Sequence, residues 1–300
     1  MSQVWVTGEV LIDLIPEGSE RKPIVGGGPA NTAKALSKLG IDTQFIDGIS
    51  SDQYGQMAKG ELVALGVKLD YVKHSDKPTC LAIVSLSESG SASYEFVIEN
   101  TATFDFTSDW LPNPQTDRPT LLHVGTLATA IEPGASILFE WAQSVAKVAP
   151  IVFDPNIRSA VISDHREYLK QVERWISISS AVKVSDEDIK WLYPSLEIEQ
   201  VVNNWLAKGP SLIVVTYGDK GLAGYRVGEK VSVDAIKVAV ADTVGAGDTV
   251  GAILVEAIVK DGLDSLSGVR LEMILKRAAK AAAITVSRSG ANPPTLKEIE

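Results

Sequence analysis

The sequence predicts an α/β protein whose central sheet is mostly parallel and covered by helices on both faces. Short apolar, β-branched runs alternate with longer segments of helical spacing along the chain, and glycines punctuate the joints between them. One region departs from that rhythm: from Thr79 to Phe106, strand-like runs surround a Ser/Gly-rich turn with no helix between them, as in an antiparallel flap.

The elements follow in order. The chain opens on QVWVTG and VLIDLIP, two short strands separated by Gly8. In PANTAKALSKLG, Pro29 suits a first helical turn, Leu36 and Leu39 recur at helical spacing, and Gly40 supplies the stop. TQFIDGI reads as a strand and DQYGQMAKGELVALG as a helix ending at Gly66. Beyond the flap, TLLHVG, IVFDPN, AVKVS and LIVVTYG read as buried strands between helical segments. Finally VAVADT reads as a strand end and TVGAILVEAIVK as a helix. The flap either covers a site or is an ordinary edge hairpin.

With 300 residues, length allows one large domain or two smaller ones. The absence of a low-complexity tract, solenoid repeat or Pro-rich spacer favours one. Hydrophobic residues make up 45% and charged residues 22%, a folding composition. The formal net charge of -10 leaves no broad basic surface for nucleic acid or an anionic membrane, so an anionic ligand must be met locally. A single cysteine, Cys80, excludes a disulfide framework. The start MSQVWVTGEV lacks a secretory pattern, and no run of 18 apolar residues occurs, which together predict a soluble cytoplasmic protein.

Two stretches carry chemistry. In VGGGPANTAKALSKLG, Gly26, Gly27 and Gly28 precede a helix, so a ligand's hydroxyls or an anion can approach the backbone, and Asn31 adds both a donor and an acceptor. A tight turn without a ligand fits the same glycines. In VADTVGAGDTVGAILVEAIVK, the amides of Gly245, Ala246 and Gly247 would form a cradle for the charge on a transferring phosphoryl group, with Asp248 beside it. Asp248 is either a helix cap or a general base, a role worth about 10²–10⁴-fold, and the helix N-terminus is expected to keep it ionised. GAGDTVG also approaches a dinucleotide fingerprint, although it lies late in the chain and lacks a following strand that ends in an acid. No Gly-Lys pair, G-x-S-x-G or H-E-x-x-H occurs, and His74, His123 and His165 lack ligand spacing.

On GGGPANTAKALSKLG and DTVGAGDTVGA, the chain resembles the ribokinase-like (PfkB) sugar kinases along nearly its whole length. GEVLIDLIP, YEFVIENTA, HVGTLATAIEPGA and DPNIR are similar to bacterial fructokinases. The resemblance implies one three-layer α/β/α kinase domain over residues 1–300, with a small β lid from about 9–24 and 79–106, and transfer of the ATP γ-phosphate to the 6-hydroxyl of fructose. It implies Asp248 as base, Gly245, Ala246 and Gly247 as the anion hole, and Asp13, Gly27, Gly28 and Asn31 as sugar ligands, with Phe96 and Asn100 reaching in from the lid. From the residues alone, Asp13 is equally the outward side of a strand.

Arg158 is implied to hold a sugar hydroxyl or the migrating phosphoryl group. Its Asp-x-Asn-x-Arg setting is also similar to 2-keto-3-deoxygluconate kinases, where a basic group answers a carboxylate, so the sugar stays open. Lys183, Thr216, Gly218, Gly221 and Asn292 are implied nucleotide contacts. The family's Asn-x-x-Glu appears as Ser185-Asp186-Glu187-Asp188, which implies Mg²⁺ near Asp188 or simply an acidic helix start. Asp242 resembles the position that helps hold a monovalent cation, K⁺, with backbone oxygens of VSRSGANPP. Relatives pair through their lids, so a homodimer is one expectation. A Rossmann-type oxidoreductase and a non-catalytic sugar-binding regulator are the competing classes.

Overall fold

A computed structural model of the chain describes residues 3–86, 92–162 and 164–300. It opens with β1 (Val4–Thr7), the hairpin β2 (Leu11–Glu17) and β3 (Glu20–Gly26), and helix α1 (Gly28–Lys38). Next come β4 (Thr43–Ile46), β5 (Gly48–Ser50), α2 (Gln53–Ala64), β6 (Lys73–Ser75), and the pair β7 (Leu81–Leu86) and β8 (Ala92–Val97). A short α3 (Pro114–Asp117) leads to β9 (Leu121–Gly125), α4 (Gly134–Val145), β10 (Ile151–Asp154), α5 (His165–Ile178) and β11 (Ala181–Ser185). Helices α6 (Asp186–Leu192) and α7 (Ile198–Leu206) precede β12 (Leu212–Thr216) and the strands β13 (Leu222–Arg226) and β14 (Glu229–Val233). The chain ends in α8 (Ala246–Asp261), α9 (Gly268–Val286) and α10 (Leu296–Ile299).

Among the described residues the largest sheet runs β14-β13-β12-β11-β10-β9-β1-β4. Its pairings from β4 through to β12 are parallel, and β13 and β14 close one edge antiparallel. Side chains alternate between faces as the strand period of two requires. Val4, Val6, Leu121, Val152, Ala181 and Leu212 join the apolar cluster under α1, α8 and α9. Trp5, Leu122, Phe153, Val182 and Ile213 join the cluster under α4, α5, α6 and α7. Burial on both faces is why these strands read as nearly continuous apolar runs. Polar residues break the pattern on the α8 side, among them His123, Asp154 and Lys183, only 1%, 2% and 4% exposed.

A second sheet, ordered β3-β2-β7-β8, is the small lid. Its β7–β8 pair is antiparallel as expected, and β2 joins it to the N-terminal hairpin by a parallel pairing with β7. The Ser/Gly-rich turn expected between β7 and β8 falls at residues 87–91, outside the described residues.

Two expected strands come out differently. TQFIDGI is broken at Asp47, with β4 in the main sheet and β5 paired to β6. The break has a local cause: Asp47 is fully buried and its Oδ2 accepts the Val10 amide at 3.0 Å, which turns the chain out of the main sheet. VAVADT is not a strand end. The sheet edge finishes at Val233, Val240 is 63% exposed, and the amides of Ala241 and Asp242 donate to the carbonyl of Val286 rather than to a neighbouring strand.

Candidate active site

Two glycine turns bring the N-termini of α1 and α8 face to face at the C-terminal ends of the parallel strands, where open α/β sheets bind ligands. At Gly27, φ is 103° and an added Cβ would lie 2.4 Å from the Glu9 carbonyl oxygen, so only glycine can cap α1 there. At Gly28 a Cβ would meet Asn156 Nδ2 and Thr126 Cγ2, both at 2.9 Å, and Asp248 Oδ1 at 3.3 Å. Bare backbone is thus held open beside the Asp248 carboxylate. One turn further along α1, Asn31 Nδ2 donates to Asp248 Oδ2 at 2.9 Å. The Asn31 Oδ1 is buried without a protein hydrogen bond, an acceptor suited to a ligand hydroxyl.

Asp248 is 8% exposed, in the first turn of α8. Burial pushes its carboxyl up to about 6, against the opposing pull of Lys183 and with reinforcement from Asp154. The hydrogen bond from Asn31 and the charge of Arg158 lower it less. Removal from water raises the group although it stands at a helix N-terminus, and with the value at about 6 its ionised form still prevails at pH 7.

In the turn before α8, where the anion cradle is expected, the Ala246 amide makes a long hydrogen bond to the Thr243 carbonyl at 3.4 Å. Gly245 caps the helix at φ 80°, and an added Cβ would strike Ala291 Cβ at 2.7 Å. Ala246 and Gly247 are the first helical residues, and Lys183 Nζ lies 2.8 Å from the place a Gly247 Cβ would occupy. The Lys183 ammonium donates to Asp154 Oδ2 at 2.9 Å. The turn is followed by α8 and then α9, so the strand that a dinucleotide fold needs next is replaced by a helix.

Asp13 lies on β2 with its Oδ2 over Gly26, where an added Cβ would lie 2.2 Å away. Its carboxyl rises to about 6 through burial, opposed by Lys34 and Arg158 and reinforced by Asp242. Arg158 is positioned by the loop after β10: one NH1 donates to the carbonyl and the side-chain oxygen of Asn156 and to the Ile157 carbonyl. Asp13, Gly27, Gly28, Asn31, Arg158 and Asp248 therefore form one constellation.

The nucleotide candidates sit at the ends of neighbouring strands. Ser185 pairs in register with Thr216, and Gly218 and Gly221, at φ 57° and 109°, shape the turn that follows β12. Ser185 caps α6, its hydroxyl accepting the Asp188 amide at 3.0 Å, while Asp188 accepts the Ser185 amide at 3.4 Å and the Ile157 amide at 3.0 Å. Each Asp188 oxygen keeps one further lone pair. Asp242 laces two loops together, Oδ1 accepting from Val244 and Oδ2 from Gly290. Among the described residues, no group of three or more His, Cys, Asp or Glu side chains gathers to hold a metal ion by itself.

Three further candidates remain, one beside the Gly245 turn and two on the lid. The Asn292 Oδ1 accepts from Lys38 Nζ at 2.7 Å, and its neighbour Ala291 is the residue against the Gly245 turn. Phe96 packs half-buried on β8, in register through Ala82 with Asp13 and so on the same face of the lid sheet, and Asn100 is exposed in the turn after it at φ 55°.

Sequence reasoning missed Glu9, Asp154, Asn156 and Thr126. Thr126 and Asn156 both adopt left-handed backbone, at φ 60° and 39°, at the ends of adjacent strands beside Gly28. Such strain concentrates at functional sites. Asp154 stood within DPNIR and could have been found there, but nothing in the sequence marks Thr126.

The family model of pfkB family carbohydrate kinases matches residues 1–298. A fructokinase of Rhizobium leguminosarum bv. trifolii is 34% identical over 261 residues, covering 85% of this chain and 79% of that protein. A fructokinase from Xylella fastidiosa with bound ATP shares the fold at a TM-score of 0.92, with 23% identity over 99% of this chain and 96% of that one. A fructokinase double mutant from Vibrio cholerae O395, with fructose, ADP and potassium ion bound, has a TM-score of 0.84 and 27% identity over 97% of this chain and 94% of that one.

Proposed function

The chain belongs to the pfkB family of carbohydrate kinases, with their ribokinase-like fold, and from that premise we propose that it is a fructokinase transferring the ATP γ-phosphate to the 6-hydroxyl of D-fructose. The observation that carries this reading is the meeting of α1 and α8: an amide suited to sugar hydroxyls and a carboxylate suited to act as base are joined at 2.9 Å. The Rhizobium and Vibrio relatives are fructokinases, and the Vibrio structure holds fructose.

Asp13 and Asn31 hold an uncharged, polyhydroxylated ligand, the carboxylate accepting from two hydroxyls and the amide both giving and taking. Gly27 and Gly28 let the sugar lie against bare backbone, with the 6-hydroxyl toward Asp248. Asp248 removes the hydroxyl proton as O6 attacks the γ-phosphorus, and the bond from that phosphorus to the bridging oxygen breaks to release ADP. Gly245, Ala246 and Gly247 receive the developing charge on their amides, and Lys183 and Arg158 offset it. Mg²⁺ brought with ATP would neutralise phosphate charge, met through water by Asp188, and K⁺ would order the loop tied by Asp242. Thr216, Gly218 and Gly221 would take the nucleotide.

The test is ADP release with fructose, ribose, glucose, adenosine and 2-keto-3-deoxygluconate, with Mg²⁺ and with or without K⁺. Fructose is expected to give the highest kcat/KM. A higher value for 2-keto-3-deoxygluconate would assign Arg158 to a substrate carboxylate instead, and ATP-independent sugar binding without ADP release would favour the regulator.

A further inference from the structure

Asp154 on β10 and Lys183 on β11 form a buried polar pair on the sheet face under α8, with buried His123 of β9 on the same face two residues back along the strands, opposite Val152. The Lys183–Asp154 pair, 5% and 2% exposed at the side chains, is a poor investment in stability. Taking each ion out of water costs several kcal/mol, and apolar residues of similar size often fill such positions with no loss. What the pair does gain is position. A lysine ammonium on a flexible four-carbon stem has no fixed location of its own. Held by Asp154, it sits against Gly247 in the first turn of α8, one residue from Asp248.

We propose that Asp154 is a positioning residue for phosphoryl transfer, clamping the Lys183 ammonium beneath Gly247 so that its charge faces both the incoming phosphoryl group and the Asp248 carboxylate. The inference rests on the kinase reading above. The groups that bear on Asp248 come from every element around it: Asn31 from α1, Lys183 from β11, and Asp154 and Arg158 from β10 and its loop. His123 adds no charge, because burial and the nearby Lys183 hold its ring down at about 3, and Asp188 of α6 acts on Lys183. The two members of the pair push Asp248 in opposite directions, Lys183 stabilising its charged form and Asp154 opposing it.

The test measures ADP release across pH for the wild type and for Asp154→Asn, Lys183→Met, the double variant and Asp154→Glu, with the sugar the wild type turns over best. Asp154→Asn is expected to lower kcat about tenfold or more while sugar KM stays within about twofold, the scale of loss when a group that orients an active-site residue is removed. Its acid limb of kcat/KM moves to lower pH, because Asp248 loses a negative neighbour. Lys183→Met loses roughly 10²–10³-fold in kcat, and its limb moves to higher pH. The double variant is no slower than Lys183→Met, since Asp154 acts through the lysine, and Asp154→Glu recovers part of the rate. Should Asp154→Asn fail to fold, Asp154→Glu carries the test through its reduced kcat at unchanged sugar KM. Limbs that move together, multiplicative losses in the double variant, or an unchanged kcat in the folded Asp154 variants would overturn the inference. A rise only in the Mg²⁺ concentration required would overturn it too, making Asp154 part of the metal's surroundings. A wild type inactive on every sugar defeats the kinase reading instead, and the inference with it.

Discussion

At Asp248, burial raises the carboxyl and Lys183 pulls it back, leaving it near 6, close enough to neutral to take a proton and release it again. Asn in its place still accepts the Asn31 donor but cannot take a proton, so Asp248→Asn is expected to bind fructose normally by calorimetry while turnover falls about 10²–10⁴-fold. Near-normal turnover in that variant would remove the base role. Because the ionised form is the active one, kcat/KM is expected to fall about tenfold per pH unit below about 6 and to level off above it. A rate that is flat from pH 5 to 8 would contradict this. Gly28 is the steric counterpart. A methyl there would press on Asn156, Thr126 and Asp248, so Gly28→Ala is expected to lower kcat/KM roughly 10²-fold, as small misplacements of reacting groups do, with little change in melting temperature.

At the level of single elements, the signals that succeeded were local ones. Gly27 and Gly245 mark the starts of α1 and α8 because no other residue fits those turns, and the sequence around them named most of the constellation: Gly28, Asn31 and Asp248. VAVADT misled because an apolar run looks alike whether it joins a sheet or crosses a surface, and Val240 proves exposed. The acidic start of α6 was ambiguous for a similar reason, since capping and metal binding use the same residues. The capping role is visible in the hydroxyl of Ser185 accepting from Asp188 and the carboxylate of Asp188 returning the bond. Ser185→Ala is therefore expected to cost about 1 kcal/mol in urea denaturation, and Ser185→Thr to restore most of it. Equal stability of the Ala variant would show that the hydroxyl has other work.

Across the whole molecule, what escaped the sequence was pairing between distant segments. Alternation predicts parallel strands but not that β9 lies beside β1, or that β2 leaves β1 to pair with β7 in the lid. A lone acid in an apolar run looks the same whether it faces solvent or the junction of two sheets, which is why Glu9 and Asp47 carried no signal. Both prove buried at that junction, between the β1–β2 and β4–β5 connections, and burial drives both carboxyls upward. Glu9 rises from 4.5 to about 7, against the lowering pull of the nearby Thr126 hydroxyl, its own backbone amide, the Ala128 amide and the charge of Arg158. The sign follows from linkage: below pH 4.5 the group is protonated in both folded and unfolded chains and burial carries no ionisation penalty. Between pH 4.5 and about 7 the unfolded chain ionises first, so folding stability is lost as pH rises, by about 3 kcal/mol in full. Glu9→Gln keeps an acceptor for the Ala128 amide and cannot ionise. In urea denaturation it is expected to match the wild type near pH 4 and to exceed it at pH 8 by up to about 3 kcal/mol. A difference between the two proteins that stays constant from pH 4 to pH 8 would mean that Glu9 does not titrate with folding.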